Sequence, residues 1–276
     1  INVGNGTTIS GSIYGASDVD GILNIHGNFT SGGVIGGNGT TTVGDLGLEV
    51  ITVHKGNTFT ISHESASTNY YINGTVKATG SFTGNLTGSV KLGSSGTLNL
   101  YNKAGSDNST RVVGTIDGVS SGVGTLNING TYQTSGVIGG NYKLAAINLS
   151  SSSNRSIRGD FTTIFGHNVN ATTITIGTSN SQTNSTLAVS TSDITITGNI
   201  AGGGNYTSGG NIASGILDIN ANAIVDGTIG TSGAYLAEVQ VANDMILTAK
   251  GSIYSGNITF ETQTSSANAT LALNGT

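Results

Sequence analysis

The chain has 276 residues, of which 45 are Gly, 40 Thr, 33 Ser and 30 Asn, just over half of the total; only 8% are charged and the net charge is −5. Nine basic residues give no nucleic-acid footprint. The absence of Cys excludes disulfide scaffolds and thiolate metal sites, and glycine without proline or a three-residue period excludes collagen. Yet 35% of the residues are hydrophobic, too many for a disordered linker and enough, at this length, for a substantial core.

Helix formers are scarce, and short alternating runs recur in their place. In chain order they are Val50-Ile51-Thr52-Val53, Phe59-Thr60-Ile61, Thr97-Leu98-Asn99-Leu100, Thr173-Ile174-Thr175-Ile176, Ile194-Thr195-Ile196-Thr197, Glu238-Val239-Gln240-Val241 and Thr270-Leu271-Ala272-Leu273. Each places apolar side chains on one face and polar ones on the other, as a half-buried strand does. Asn-Gly and Gly-rich turns separate them, as at Asn38-Gly39 and Asn73-Gly74. No apolar run approaches the roughly 20 residues of a membrane span, and no basic and apolar leader of a signal peptide is visible. The chain opens at Ile1 and stops at Thr276 in the texture of its middle, which reads as a piece processed or excised from something longer.

Self-similarity is the strongest signal. Gly21-Ile22-Leu23-Asn24-Ile25 returns as Gly124-Thr125-Leu126-Asn127-Ile128 and as Gly215-Ile216-Leu217-Asp218-Ile219. An Ile-Gly pair follows each copy, at Ile35-Gly36, Ile138-Gly139 and Ile229-Gly230, always 14 residues from the leading Gly to the Ile. A Gly-x-Ile-x-Gly turn precedes each, at 11–15, 114–118 and 198–202, and Leu48, Leu144 and Leu236 open the next apolar strand. Strands about every 10 residues, coils of about 20–25 residues and insertions tolerated at corners describe a solenoid. The expected fold is all-β, a right-handed parallel β-helix over 1–276, with divergent units near 11–113, 114–197 and 198–276. About a dozen coils at roughly 4.8 Å each give a rod on the order of 60 Å. The alternative is an array of β-sandwiches, disfavoured because no hairpin pattern dominates.

The fold explains the composition. Ile, Leu and Val face inward, while Thr, Ser and Asn face outward and stack into ladders. Proline would delete a ladder donor, and like charges would fall about 5 Å apart on successive coils.

The segments Gly114-Thr115-Ile116-Asp117-Gly118, Gly124-Thr125-Leu126-Asn127-Ile128-Asn129-Gly130, Gly136-Val137-Ile138-Gly139-Gly140 and Leu144-Ala145-Ala146-Ile147-Asn148-Leu149 resemble repeats of bacterial autotransporter passengers. The group they resemble is the rickettsial outer-membrane-protein-B and surface-antigen type. The stretch 229–241 has the same texture. The resemblance implies a secreted passenger that coats the cell or adheres to another cell. No C-terminal translocator barrel or aromatic-terminated closing strand is visible.

No catalytic constellation emerges. His26, His54, His63 and His167 are scattered without metal-ligand spacing, and His63-Glu64 is an isolated pair. Gly118-Val119-Ser120-Ser121-Gly122 matches a nucleophile elbow, but no helix follows it. Asp18-Val19-Asp20-Gly21 lacks the further oxygens of a calcium loop, and Asp117 and Asp218 stand singly in the other copies. No metal, cofactor or catalytic residue is expected. Arg158-Gly159-Asp160 spells an integrin-type tripeptide and is the candidate adhesion site. Of the 15 Asn-x-Ser/Thr sequons, Asn28, Asn85, Asn108, Asn148 and Asn205 are the glycosylation candidates.

The expected protein is a non-enzymatic, extracellular component of the bacterial surface. It is a β-solenoid rod acting as surface layer, fibre or adhesin stalk, with self-association end to end or laterally and a cell-surface or glycan partner. Two alternatives are a self-assembling filament subunit with open coil ends and, further off, a carbohydrate-active β-helix. The last would require carboxylates such as Asp18 and Asp45 to line up with a Lys on successive coils.

Overall fold

The computed structural model describes residues 1–16, 20–36, 47–63, 65–78, 86–101, 112–150, 161–177, 185–203, 214–261 and 268–274. The chain is an all-β solenoid. Its strands form three sheets of 7, 11 and 6 strands, and no helix occurs among the described residues. The strand pairs are parallel, which no chain of hairpins produces and which coil upon coil produces directly. The chain divides into two compact units, 1–127 with 135–145, and 128–134 with 146–276.

In the first unit one face is built by Asn2–Val3, Ile22–Ile25, Leu48–Val53, Ser65–Ile72 and Leu86–Leu92. A second is built by Phe29–Thr30, Thr58–Ile61, Thr75–Ala78 and Thr97–Tyr101. The alternation of the sequence is the cause. Ile51, Tyr70 and Val90 share one inward column, and Phe59, Val76 and Leu98 share another; all six are fully buried. Phe29 and Phe59 stack within this core with ring centroids 5.5 Å apart. Tyr70 is buried and carries its hydroxyl inward, where Ser65 Oγ meets it at 3.0 Å, satisfying a polar atom that would otherwise be stranded.

In the second unit Phe161–Phe165, Ser185–Val189, Ile216–Ile219, Leu236–Val241 and Ser255–Phe260 form one face. Val169–Ile176, Ile194–Gly202, Ala223–Asp226, Ile246–Ala249 and Thr270–Leu273 form another. Coil length varies with what is inserted at the corners. Phe59 pairs with Val76, whereas Tyr132 pairs with Thr163, nearly twice as far along the chain. The second interval contains 151–160, and the strands on either side of it still pair in parallel.

The three copies of the sequence motif repeat the same backbone bonds, although their leading strands, Ile22–Ile25, Thr125–Asn129 and Ile216–Ile219, fall in three different sheets. Each leading glycine, Gly21, Gly124 and Gly215, has φ between 84° and 96°, a region open to Gly and strained for other residues. Its carbonyl then accepts the amide after the next coil's leucine, from Glu49, Ala145 and Ala237 at 2.9–3.1 Å. The isoleucine of each Gly-x-Ile-x-Gly turn bridges the isoleucine of the Ile-Gly pair one coil later: Ile13 to Ile35, Ile116 to Ile138 and Ile200 to Ile229. The constant offset from leading Gly to Ile is therefore the path from one strand to a corner, where a buried Ile meets its counterpart on the preceding coil.

Candidate functional surface

The outward columns are polar and nearly uncharged. Thr58, Thr75 and Thr97 stack in register, as do Thr30, Thr60, Lys77 and Asn99 beside them. On the other face of the first unit Asn2, Asn24, Thr52, Tyr71 and Lys91 form one column. Asn side chains link coils: Asn24 Nδ2 donates to Asn2 Oδ1 at 3.0 Å and Asn127 Nδ2 to Asn99 Oδ1 at 2.8 Å.

At the corners Asn has a second role that the turn statistics of the sequence concealed. Its amide oxygen accepts the backbone N–H of the next coil. Asn5 receives Asn28 N at 3.0 Å, Asn28 receives Thr58 N at 2.9 Å, Asn168 receives Thr195 N at 2.9 Å and Asn222 receives Ile246 N at 2.9 Å. Where the chain turns and the ladder lapses, a side chain thus replaces the missing carbonyl.

The candidate residues fall as follows. Arg158, Gly159, Asp160, Asn85, Asn108, Asn205, Asp18, Asp45 and Glu64 lie outside the described residues. Asn28 is exposed at a corner, with its amide oxygen engaged by Thr58 N. Asn148 is half-buried on the outward side of Leu144–Ser150. The segment 118–122 links the strand Ile116–Gly118 to the strand Thr125–Asn129 through an exposed turn, so its serines lie between two strands.

Asp117 is buried within the strand Ile116–Gly118, and its carboxylate accepts Asn141 N at 3.0 Å and Asn141 Nδ2 at 3.4 Å. It stitches two coils together. Asp218 lies on the outward side of Ile216–Ile219, 2.6 Å from Asn220 Nδ2. Partial burial raises its carboxyl above the usual carboxylate range, and the Asn220 bond offsets part of that rise. Burial likewise pushes the Tyr70 phenol up, against a smaller lowering from Ser65. The exposed Lys250–Asp226 contact at 3.2 Å is the one ion pair among the described residues.

The structure brings together two histidines that lie on successive coils and far apart in the sequence. His26 and His54 follow the strands Ile22–Ile25 and Leu48–Val53, and their rings stack at 3.9 Å and 18°. Ring nitrogens bind metals in the ring plane, so two rings stacked face to face do not converge on one ion. No group of three or more His, Asp or Glu able to hold a metal occurs among the described residues. His63 Nδ1 lies 3.1 Å from Ser62 Oγ, and His167 is exposed in a turn.

The class of protein this defines is a parallel β-solenoid with divergent internal repeats. Comparison with protein-family models, with curated proteins and with solved structures finds no match.

Proposed function

We propose that this chain is a non-enzymatic structural protein of the bacterial cell surface, a secreted β-solenoid that serves as surface layer, fibre or adhesin stalk. One observation carries the reading: the polar side chains are spent on joining coil to coil. Asn24, Asn28, Asp117, Asn127 and Asn222 each bond the neighbouring coil in place of converging on a cleft. Such a design yields a polar surface of low charge, suited to coating or spacing. The autotransporter-like texture of the repeats supports the same setting.

Antibody raised against the purified chain tests it on intact and permeabilised cells of the source. Labelling of intact cells is expected. Labelling confined to permeabilised cells would overturn the proposal.

A second reading, an extracellular filament subunit, has its own support. Ile258 and Phe260 stand in register with the fully buried Val239 and Val241 yet are each 42% exposed. A further strand laid on Ser255–Phe260 would cover them. Electron microscopy separates the two: ordered fibres favour the subunit, single short particles the stalk or coat.

A further inference from the structure

The first and last coils present edges that complement each other. Asn2–Val3 is the outermost strand of the 7-stranded sheet, Ser255–Phe260 of the 6-stranded one and Thr270–Leu273 of the 11-stranded one, and among the described residues no strand lies beyond them. Ile258, Phe260 and Leu273 continue the inward columns of Val239, Val241 and Ala249, which are fully buried, yet all three are exposed. At the other edge Ile1 continues the inward column of Leu23 and is exposed as well. None of the three strands carries Pro, Lys, Asp or Glu, the residues that ordinarily keep an edge from pairing. The open backbone groups also match. Glu261 N donates to Val241 O, so by the alternation of a parallel ladder Ile258 and Phe260 turn their N–H and C=O away from the preceding coil. Asn24 N and His26 N donate to Ile1 O and Val3 O, so Asn2 and Gly4 turn theirs away from the following coil.

We infer that the last coil of one copy docks the first coil of a second copy, head to tail, with Ile258 beside the second copy's Ile1 and Phe260 beside its Val3. In that register the second copy's Asn2 N donates to Ile258 O, Phe260 N donates to its Asn2 O, and its Gly4 N donates to Phe260 O. The apolar columns then run on from one copy into the next. The sequence argues for a second copy as the occupant. Leu273-Asn274-Gly275-Thr276 followed by Ile1-Asn2-Val3 repeats the pattern of Ile72-Asn73-Gly74-Thr75-Val76-Lys77-Ala78 and of Ile128-Asn129-Gly130-Thr131-Tyr132-Gln133-Thr134. Within the chain each of those patterns carries one strand through an Asn-Gly turn into the next. A head-to-tail contact joins two different surfaces, so it extends into a filament unless it closes into a ring. The inference rests on the filament reading and names the junction.

The test follows the mass of the purified full chain by sedimentation across protein concentration. Oligomers that grow with concentration are expected. Ile258→Lys/Phe260→Lys blocks the last coil, and Ile1→Lys/Gly4→Pro blocks the first. Each alone is expected to stay monomeric, and an equimolar mixture of the two to form pairs and nothing larger. Lys77→Gln, on a coil paired on both sides, is expected to assemble as the parent does. Melting curves separate loss of fold from loss of the edge. A second measurement needs no blocked edge. Thr259→Cys mixed with Asn2→Cys is expected to cross-link two copies under mild oxidation, whereas Gln240→Cys, one coil further away, mixed with Asn2→Cys is not. A parent that is monomeric at every concentration, oligomers that survive either edge variant, a mixture that stays monomeric, or equal cross-linking of both Cys pairs would overturn the inference. Electron microscopy tells its failure from that of the filament reading. Ordered fibres that persist in the edge variants remove this junction alone, and single particles from the parent remove the filament reading itself.

Discussion

The amide of Gly139 donates to the carbonyl of Ile116 at 2.7 Å, and the bonds from Gly36 to Ile13 and from Gly230 to Ile200 repeat it at the same length. Each joins a Gly-x-Ile-x-Gly turn to the Ile-Gly pair one coil later, so two motifs that look separate in the sequence are the two halves of one contact. The three glycines share φ of 66–76°. Neighbouring glycines of the same turn system separate backbone strain from crowding. Gly122 (φ 79°) has nothing within 4 Å of an added Cβ, whereas the Cβ of an alanine at Gly124 (φ 84°) would lie 2.3 Å from Leu92 Cβ. Gly122→Ala is expected to cost about 1 kcal/mol and Gly124→Ala roughly 3 kcal/mol, measured by urea unfolding.

The corner asparagines act as caps across coils. Asn28→Ala removes the acceptor for Thr58 N and is expected to destabilise by about 1 kcal/mol, as loss of a helix N-cap does. Asn28→Asp keeps the acceptor and should restore most of the loss. Thermal melts of the three proteins decide it, and equal melting of the parent and the Ala variant would show that the bond contributes nothing.

Core truncation should act locally. Leu217 is fully buried between Leu187 and Val239, so Leu217→Ala is expected to cost about 2–5 kcal/mol. Coils interact with their nearest neighbours. Hydrogen exchange should therefore rise first in Ser185–Val189 and Leu236–Val241, with Phe161–Phe165 retaining protection.

Asp218 makes stability depend on pH. Its folded carboxyl is raised by partial burial, so the unfolded chain releases this proton more readily. The group's contribution is most favourable below the unfolded Asp value of about 3.9 and is lost as pH rises through the folded value. Asp218→Asn is expected to melt higher than the parent at neutral pH. That advantage should shrink as pH falls to 4 and below, as followed by melts across pH.

The strands and the coil principle were legible from residue pattern. Thr97-Leu98-Asn99-Leu100 alternates because Leu98 and Leu100 enter the core while Asn99 meets Asn127 outside, and it falls in the strand Thr97–Tyr101. The constant offset between leading Gly and Ile was legible because each copy sets its Ile-Gly pair against the Gly-x-Ile-x-Gly turn of the preceding coil. The His26–His54 stack was hidden by the insertion between the strands that carry the two rings. Linear spacing reports neighbours on successive coils only when coil lengths are equal, and here the step from Tyr132 to Thr163 is nearly twice the step from Phe59 to Val76. The corner caps were hidden for another reason. Asn is expected in turns for its own backbone, and nothing local shows that its oxygen reaches another coil.

The register itself is open to one direct measurement, made easy by the absence of native cysteine. Thr75 and Thr97 are parallel partners on adjacent coils, both outward, while Leu98 points into the core. Parallel neighbours lie about 4.8 Å apart, within the Cα range of a disulfide. Thr75→Cys/Thr97→Cys is expected to close an intramolecular disulfide under mild oxidation, seen as a peptide cross-link by mass spectrometry, while Thr75→Cys/Leu98→Cys stays reduced. Failure of the first pair to close, or closure of both pairs alike, would contradict the stacked parallel register on which the account rests.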